Sequence, residues 1–91
     1  MLASNSNLDN VNCAKYTMAV CVMLTGVPSY RIRRFEDFGL ISPLRTNGKQ
    51  RLFSEQDVAL IREISSFEGK GVNLPGVRTI LDMKQNLKPT L

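Results

Sequence analysis

The triplet Thr46-Asn47-Gly48 constrains this chain more than any other feature, because helical periodicity surrounds it on both sides. Asn-Gly is the strongest short-range signal of a β-hairpin, since both residues tolerate positive φ. Residues 42–54 therefore read as a hairpin. Pro43 precedes a first strand of few residues, 46–48 is the turn, and 50–53 is the return strand.

Helix signals bracket this hairpin. Thr17 can cap a short helix over 18–24, and Gly26 stops it in the C′ manner. A second helix is expected over about 29–37, with Val27, Ile32, Phe35 and Leu40 on or beside its inner side and Gly39 ending it. Tyr30, Arg31, Arg33 and Arg34 then face elsewhere. Ser54 caps a third helix, with Asp57 at the capping-box position. Its apolar face holds Val58, Ile61 and Ile64, with Leu60 and Phe67, and Gly69 and Gly71 break it. Asn73 can cap a fourth helix reaching about Lys84, with Val77, Ile80 and Leu81 inward. Residues 1–15 are rich in Asn and Ser and read as a mobile tail or dimerisation segment, with a short helix conceivable around 8–14. Residues 16–84 form the domain, and 85–91 a short C-terminal tail. The fold class is mainly α with a small β-hairpin wing, a winged helix-turn-helix.

Composition narrows the function. A hydrophobic fraction of 43% argues against wholesale disorder. No apolar run approaches the roughly 20 residues needed to cross a bilayer, and the polar start lacks the basic and apolar regions of a secretory signal. A cytoplasmic, nucleoid-associated protein with no membrane partner is expected. Two cysteines, Cys13 and Cys21, and no histidine leave no recognisable metal site and no cofactor. Cys21 lies in an apolar stretch and reads as a buried thiol, the alternative being a redox or metal-sensing pair with Cys13. Without histidine or a Ser-base or Cys-base arrangement, no enzyme is expected.

Charge is concentrated. The net charge is +4, and residues 31–51 hold all of the imbalance: Arg31, Arg33, Arg34, Arg45, Lys49 and Arg51 against Glu36 and Asp37. Such a localised basic patch suits a polyanion, although a merely solvated basic face is the plain alternative. Two short helices with a Gly-containing turn, followed by a basic hairpin, match how helix-turn-helix proteins read double-stranded DNA. Tyr30, Arg31 and Arg34 would reach base edges, while Ile32 and Phe35 hold the helix to its neighbour. Arg45, Lys49 and Arg51 on the hairpin would meet flanking phosphates. The candidate DNA contacts are Thr17, Tyr30, Arg31, Arg33, Arg34, Phe35, Arg45, Lys49 and Arg51. Arg33 is open between DNA and a brace to Glu36 or an acid of the third helix. Arg62 with Glu63 and Glu68, and Arg78 with Asp82, read as solvated helix faces; Arg78 has phosphate contact as an alternative.

The run TGVPSYRIRRFEDFGLISPLRTNGKQRLFSEQDVALI resembles the MerR-family signature through Gly26, Ile32, Arg33, Phe35, Glu36, Gly39, Leu40, Pro43, Arg45, Arg51, Phe53, Ser54, Asp57 and Val58. GVNLPGVRTIL resembles the family's second wing helix. GVNLPGV and RLFS look most like the branch of the nitrogen regulators GlnR and TnrA and the heat-shock repressor HspR. The resemblance implies a transcription regulator, a repressor more than an activator. It would bind an inverted repeat as a homodimer, with the second helix in the major groove and the wings on the backbone. Glutamine synthetase or DnaK as protein corepressor is implied by the resemblance alone.

Three departures matter. Arg34 and Phe35 stand where the family often has two tyrosines, so Phe35 offers no hydroxyl to a phosphate. Pro28 replaces a frequent capping Ser or Thr, so Ser29 must cap or the helix start stays loose. The chain stops soon after the fourth helix, before the family's dimerising coiled coil and effector domain, which makes a small-molecule or metal sensor an unfavoured expectation. If a dimer forms, Val20 and Met23 are its candidate contacts, pointing outward from a helix whose core side is Met18, Cys21, Val22 and Leu24. Two ordinary surface apolars are the plain alternative. Two further functional readings stay open: an excisionase-like architectural factor that bends DNA, and a protein-docking antirepressor module.

Overall fold

The computed structural model describes residues 13–86. Four helices and one hairpin follow in order: α1 Met18–Thr25, α2 Ser29–Asp37, β1 Leu44–Arg45, β2 Arg51–Leu52, α3 Glu55–Gly69 and α4 Leu74–Asn86. The architecture is the mainly helical winged helix-turn-helix read from the sequence. α1 packs on α2 and α3, and α3 packs on α4.

Local chemistry sets most boundaries. Thr17 Oγ1 accepts the Val20 amide and opens α1, and Gly26, at φ 73°, closes it with its amide on the Val22 carbonyl. α2 ends in a Schellman motif. The Leu40 amide bonds the Phe35 carbonyl and the Gly39 amide bonds that of Glu36, with Gly39 at φ 83°. α3 opens on a complete capping box. Ser54 Oγ accepts the Asp57 amide at 3.0 Å, and Asp57 Oδ2 accepts the Ser54 amide at 2.9 Å. Asn73 Oδ1 accepts the Gly76 amide ahead of α4. α2 starts at Ser29 as expected, and of the two alternatives for its start the uncapped one holds: Pro28 is the N-cap and no side chain caps it.

The turn differs from expectation. The Lys49 amide bonds the Thr46 carbonyl, the Thr46 amide bonds the Gln50 carbonyl, and the positive φ falls on Lys49, at 66°, not on Asn47 or Gly48. The loop is thus a three-residue connection, a turn followed by one left-handed residue, and not a two-residue Asn-Gly turn. β1 and β2 pair antiparallel in the register Leu44↔Leu52 and Arg45↔Arg51. Beyond β2, Phe53 pairs with Tyr16 in an isolated bridge that the sequence did not announce. The Phe53 amide bonds the Tyr16 carbonyl at 2.7 Å, and the Phe53 carbonyl accepts the amides of Lys15 and Tyr16. Cys13 and Ala14 are not helical, and the rest of the helix considered around 8–14 lies outside the described residues.

The core joins the four helices and the segments around the hairpin, through Ile41 and Phe53. Cys21, Ile32, Phe35, Phe53, Ile61, Ile64 and Val77 are fully buried, with Val27, Ile41, Val58 and Leu74 nearly so. Burying each aliphatic or aromatic side chain contributes about 1.5–3 kcal/mol before entropy is counted. Leu24 departs from its expected core place and is 40% exposed. α1 is apolar around nearly its whole circumference, so its sequence alone does not orient it. Both cysteines are free thiols. Burial pushes the Cys21 thiol up to about 11, which keeps it protonated and unreactive at neutral pH.

Candidate nucleic-acid interface

α2 presents one uninterrupted polar stripe. Tyr30, Arg33, Arg34 and Asp37 recur at i, i+3, i+4 and i+7 and are all exposed, Tyr30 at 64%. Ile32 and Phe35 on the opposite face are wholly buried. Phe35 is therefore a core residue and not the DNA contact expected from the sequence: its ring anchors α2 and reaches no surface.

The six basic residues of this region divide into three pairs. Arg45 and Arg51 oppose each other directly across the hairpin. Like charges in that position repel. Glu36, projecting from α2, resolves the conflict, since Arg51 Nε donates to its Oε1 at 2.7 Å and Arg45 Nη2 to its Oε2 at 3.0 Å. Partial burial pushes the Glu36 carboxyl up, but the two guanidiniums outweigh this and hold it below the ordinary carboxylate range. The wing is thereby clamped to α2. Arg45 Nη1 also donates to the Lys49 carbonyl at 3.3 Å, bracing the turn.

Arg31 and Arg34 share a second carboxylate. Arg31 Nη2 donates to Glu68 Oε1 at 2.7 Å and to Ser65 Oγ at 3.2 Å, and Arg34 Nη2 lies 3.5 Å from Glu68 Oε2. The Arg31 guanidinium also packs 5.8 Å from the Phe35 ring centre. Arg31, expected to point at bases, is instead half-buried and held. Arg33 and Lys49 are exposed and form no ion pair among the described residues. Arg33 is not the brace to Glu36, because its side chain stands on the outer stripe while Glu36 turns toward the wing. Thr17 uses its oxygen as a cap, which leaves its hydroxyl hydrogen available to an acceptor.

Other charges also bridge elements that the sequence reading kept apart. Arg78 donates to the Phe38 carbonyl at the end of α2 and stacks 5.2 Å from the Phe38 ring. It passes Gly39 so closely that a Cβ there would lie 2.9 Å from its guanidinium. Lys84 pairs with Glu63, and Arg62 donates to the Leu24 carbonyl at 2.6 Å. These charges thus join elements where solvated helix faces were expected, and Arg78 is tied to protein. On α1, Val20 and Met23 are exposed, Met23 at 82%. Among the described residues there is no cluster of three metal-ligating side chains and no helix long and apolar enough to cross a membrane.

Residues 16–84 match the model of MerR HTH family regulatory proteins. The chain is 35% identical over 78 residues to the HTH-type transcriptional regulator GlnR of Bacillus anthracis, covering 86% of this chain and 60% of that protein. It is 30% identical over 73 residues to the heat shock protein HspR of Streptomyces coelicolor, covering 79% of this chain and 48% of HspR. Identity to the HTH-type transcriptional regulator MlrA of Salmonella typhimurium is 31% over 77 residues, covering 84% of this chain and 32% of MlrA. The chain thus spans 60% or less of the length of these relatives. The match runs from the bridge residue Tyr16 into the last turn of α4, across the helices and the wing alike, and on that ground the chain belongs to the MerR family of helix-turn-helix regulatory proteins.

Proposed function

We propose that this chain regulates transcription by binding a specific double-stranded DNA site, with α2 in the major groove and the hairpin on the backbone. The observation that carries the reading is the Tyr30–Arg33–Arg34 stripe, which lies beside a wing locked to the same helix through Glu36. A groove reader needs this combination, since bases are read correctly only when phosphate contacts fix the register. Arg34 is the base reader, with guanine O6 and N7 as its natural acceptors. Arg33, Lys49, Arg45 and the Thr17 hydroxyl serve phosphates, and Arg51 positions the wing.

Repression is the sign implied by resemblance to the GlnR and HspR branch, and a protein corepressor would come with it. A homodimer on an inverted repeat completes the proposal, with the exposed Val20 and Met23 of α1 as its contact. Selection of bound duplexes from a random pool tests the whole reading. Recovery of a dyad-symmetric site is the expected result, and recovery of unsymmetrical, sharply bent sites would move the assignment to an architectural factor. With about six phosphate contacts, log K should fall against log salt with a slope near −5. Failure to retain any duplex at low salt would refute DNA binding.

A further inference from the structure

Glu68 stands where an acid is disfavoured. It occupies the last turn of α3, which has no basic residue, and carbonyl dipoles there repel negative charge. Its side chain is 16% exposed and carries both Arg31 and Arg34. The two arginines are held unequally. Arg31 has 26% of its side chain exposed, with two hydrogen bonds and a ring contact; Arg34 has 58% exposed and touches the carboxylate through one nitrogen at 3.5 Å. Arg34 therefore keeps its donors open while the carboxylate draws its inner edge by charge alone. Arg31 has its charge neutralised in place.

This arrangement bears on discrimination. Phosphates attract every free arginine regardless of sequence, and this term supplies essentially all non-specific binding. A carboxylate that withholds one arginine and orients its neighbour lowers the background without lowering the contact to the correct base. We propose that Glu68 is a selectivity-setting positioning residue: it keeps Arg31 off the phosphates and fixes how Arg34 meets a base edge. The inference rests on the DNA-binding reading above.

Glu68→Gln in the 91-residue chain tests it, by fluorescence anisotropy on a duplex recovered by selection and on a composition-matched random duplex across a salt series. Random-duplex affinity should rise about three- to tenfold, with a log–log salt slope steeper by about 0.9 as Arg31 gains a phosphate. Affinity for the selected duplex should rise less than random-duplex affinity or fall, because the phosphate gained by Arg31 is offset by the looser placement of Arg34, so that the specificity ratio falls. Equal changes on both duplexes with an unaltered slope would overturn the proposal. Should the variant fail to fold, guanidinium Hε resonances of the unsubstituted protein decide instead. Arg34 should shift with both duplexes and Arg31 with neither, and an Arg31 shift on random DNA overturns the assignment. No binding of either duplex by the unsubstituted chain defeats the DNA-binding reading itself, whereas binding with a retained ratio in Glu68→Gln defeats only the role of Glu68.

Discussion

Removing the charge of Glu36 should loosen the wing by an amount that depends on pH. The substitution Glu36→Gln keeps size and shape, yet it places an amide NH₂ against one of two guanidiniums. Arg51, with 22% of its side chain exposed, makes the shielded bond at 2.7 Å, and Arg45, with 45% exposed, makes the wetter one at 3.0 Å. A hydrogen bond to a charged group contributes about 1.5–3 kcal/mol when shielded, and an exposed ion pair about 0.2–1 kcal/mol. Taking the low end for the first and the middle for the second gives a loss of about 2 kcal/mol. For a domain of this size that corresponds to a fall of roughly 8–16 °C in Tm. The Glu36 carboxyl titrates below its ordinary value in the folded protein. Its contribution is therefore fully present above the unfolded glutamate value of about 4.3 and is lost as pH falls through the lower folded value. Circular-dichroism melts of both proteins from neutral pH to about pH 3 should show a constant Tm gap above about pH 5 that narrows below about 4.3. A gap that stays the same width in acid would refute the electrostatic origin. A gap below about 2 °C at neutral pH would show that the clamp contributes almost nothing.

Four other outcomes are expected. Arg34→Ala should lower discrimination against the wrong base by about 1–3 kcal/mol, whereas Lys49→Ala should weaken all duplexes alike and make the salt slope shallower by about 0.9, both read by anisotropy titration. Ser54→Ala removes one half of the capping box and should cost about 1 kcal/mol, several degrees of Tm in a calorimetric scan. Thiol titration with a chromogenic disulfide should label half-buried Cys13 readily in the folded protein and Cys21 only on unfolding; fast double labelling would contradict the buried, protonated Cys21.

Short-range chemistry was readable before the fold was known. Thr17, Gly26, Gly39, Ser54 with Asp57, and Asn73 each act within four residues of themselves, so their roles depend little on the rest of the molecule. The two shared carboxylates behave differently. Glu36 meets Arg51 across 15 positions and Glu68 meets Arg31 across 37. Long flexible side chains at such separations are paired only by the packing of whole elements, and the sequence offered Arg33 to Glu36 at i+3 as an equally good local match. The position of Lys49 at positive φ was hidden for a related reason: Asn47-Gly48 announces a turn but does not say which of the following residues absorbs the left-handed step. Tyr16 pairs as a single residue, too short for any alternation to announce it. Leu24 was misplaced because an all-apolar helix has no polar face to mark its outside.

The Tyr16–Phe53 bridge has a mechanical consequence. Phe53 lies between the return strand and Ser54, so one short stretch of chain serves the wing, the start of α3 and the N-terminal residues. A pull applied at Lys15 or Tyr16 is shared through three backbone hydrogen bonds with Phe53, and so reaches the root of the wing and the start of α3 without passing through any arginine.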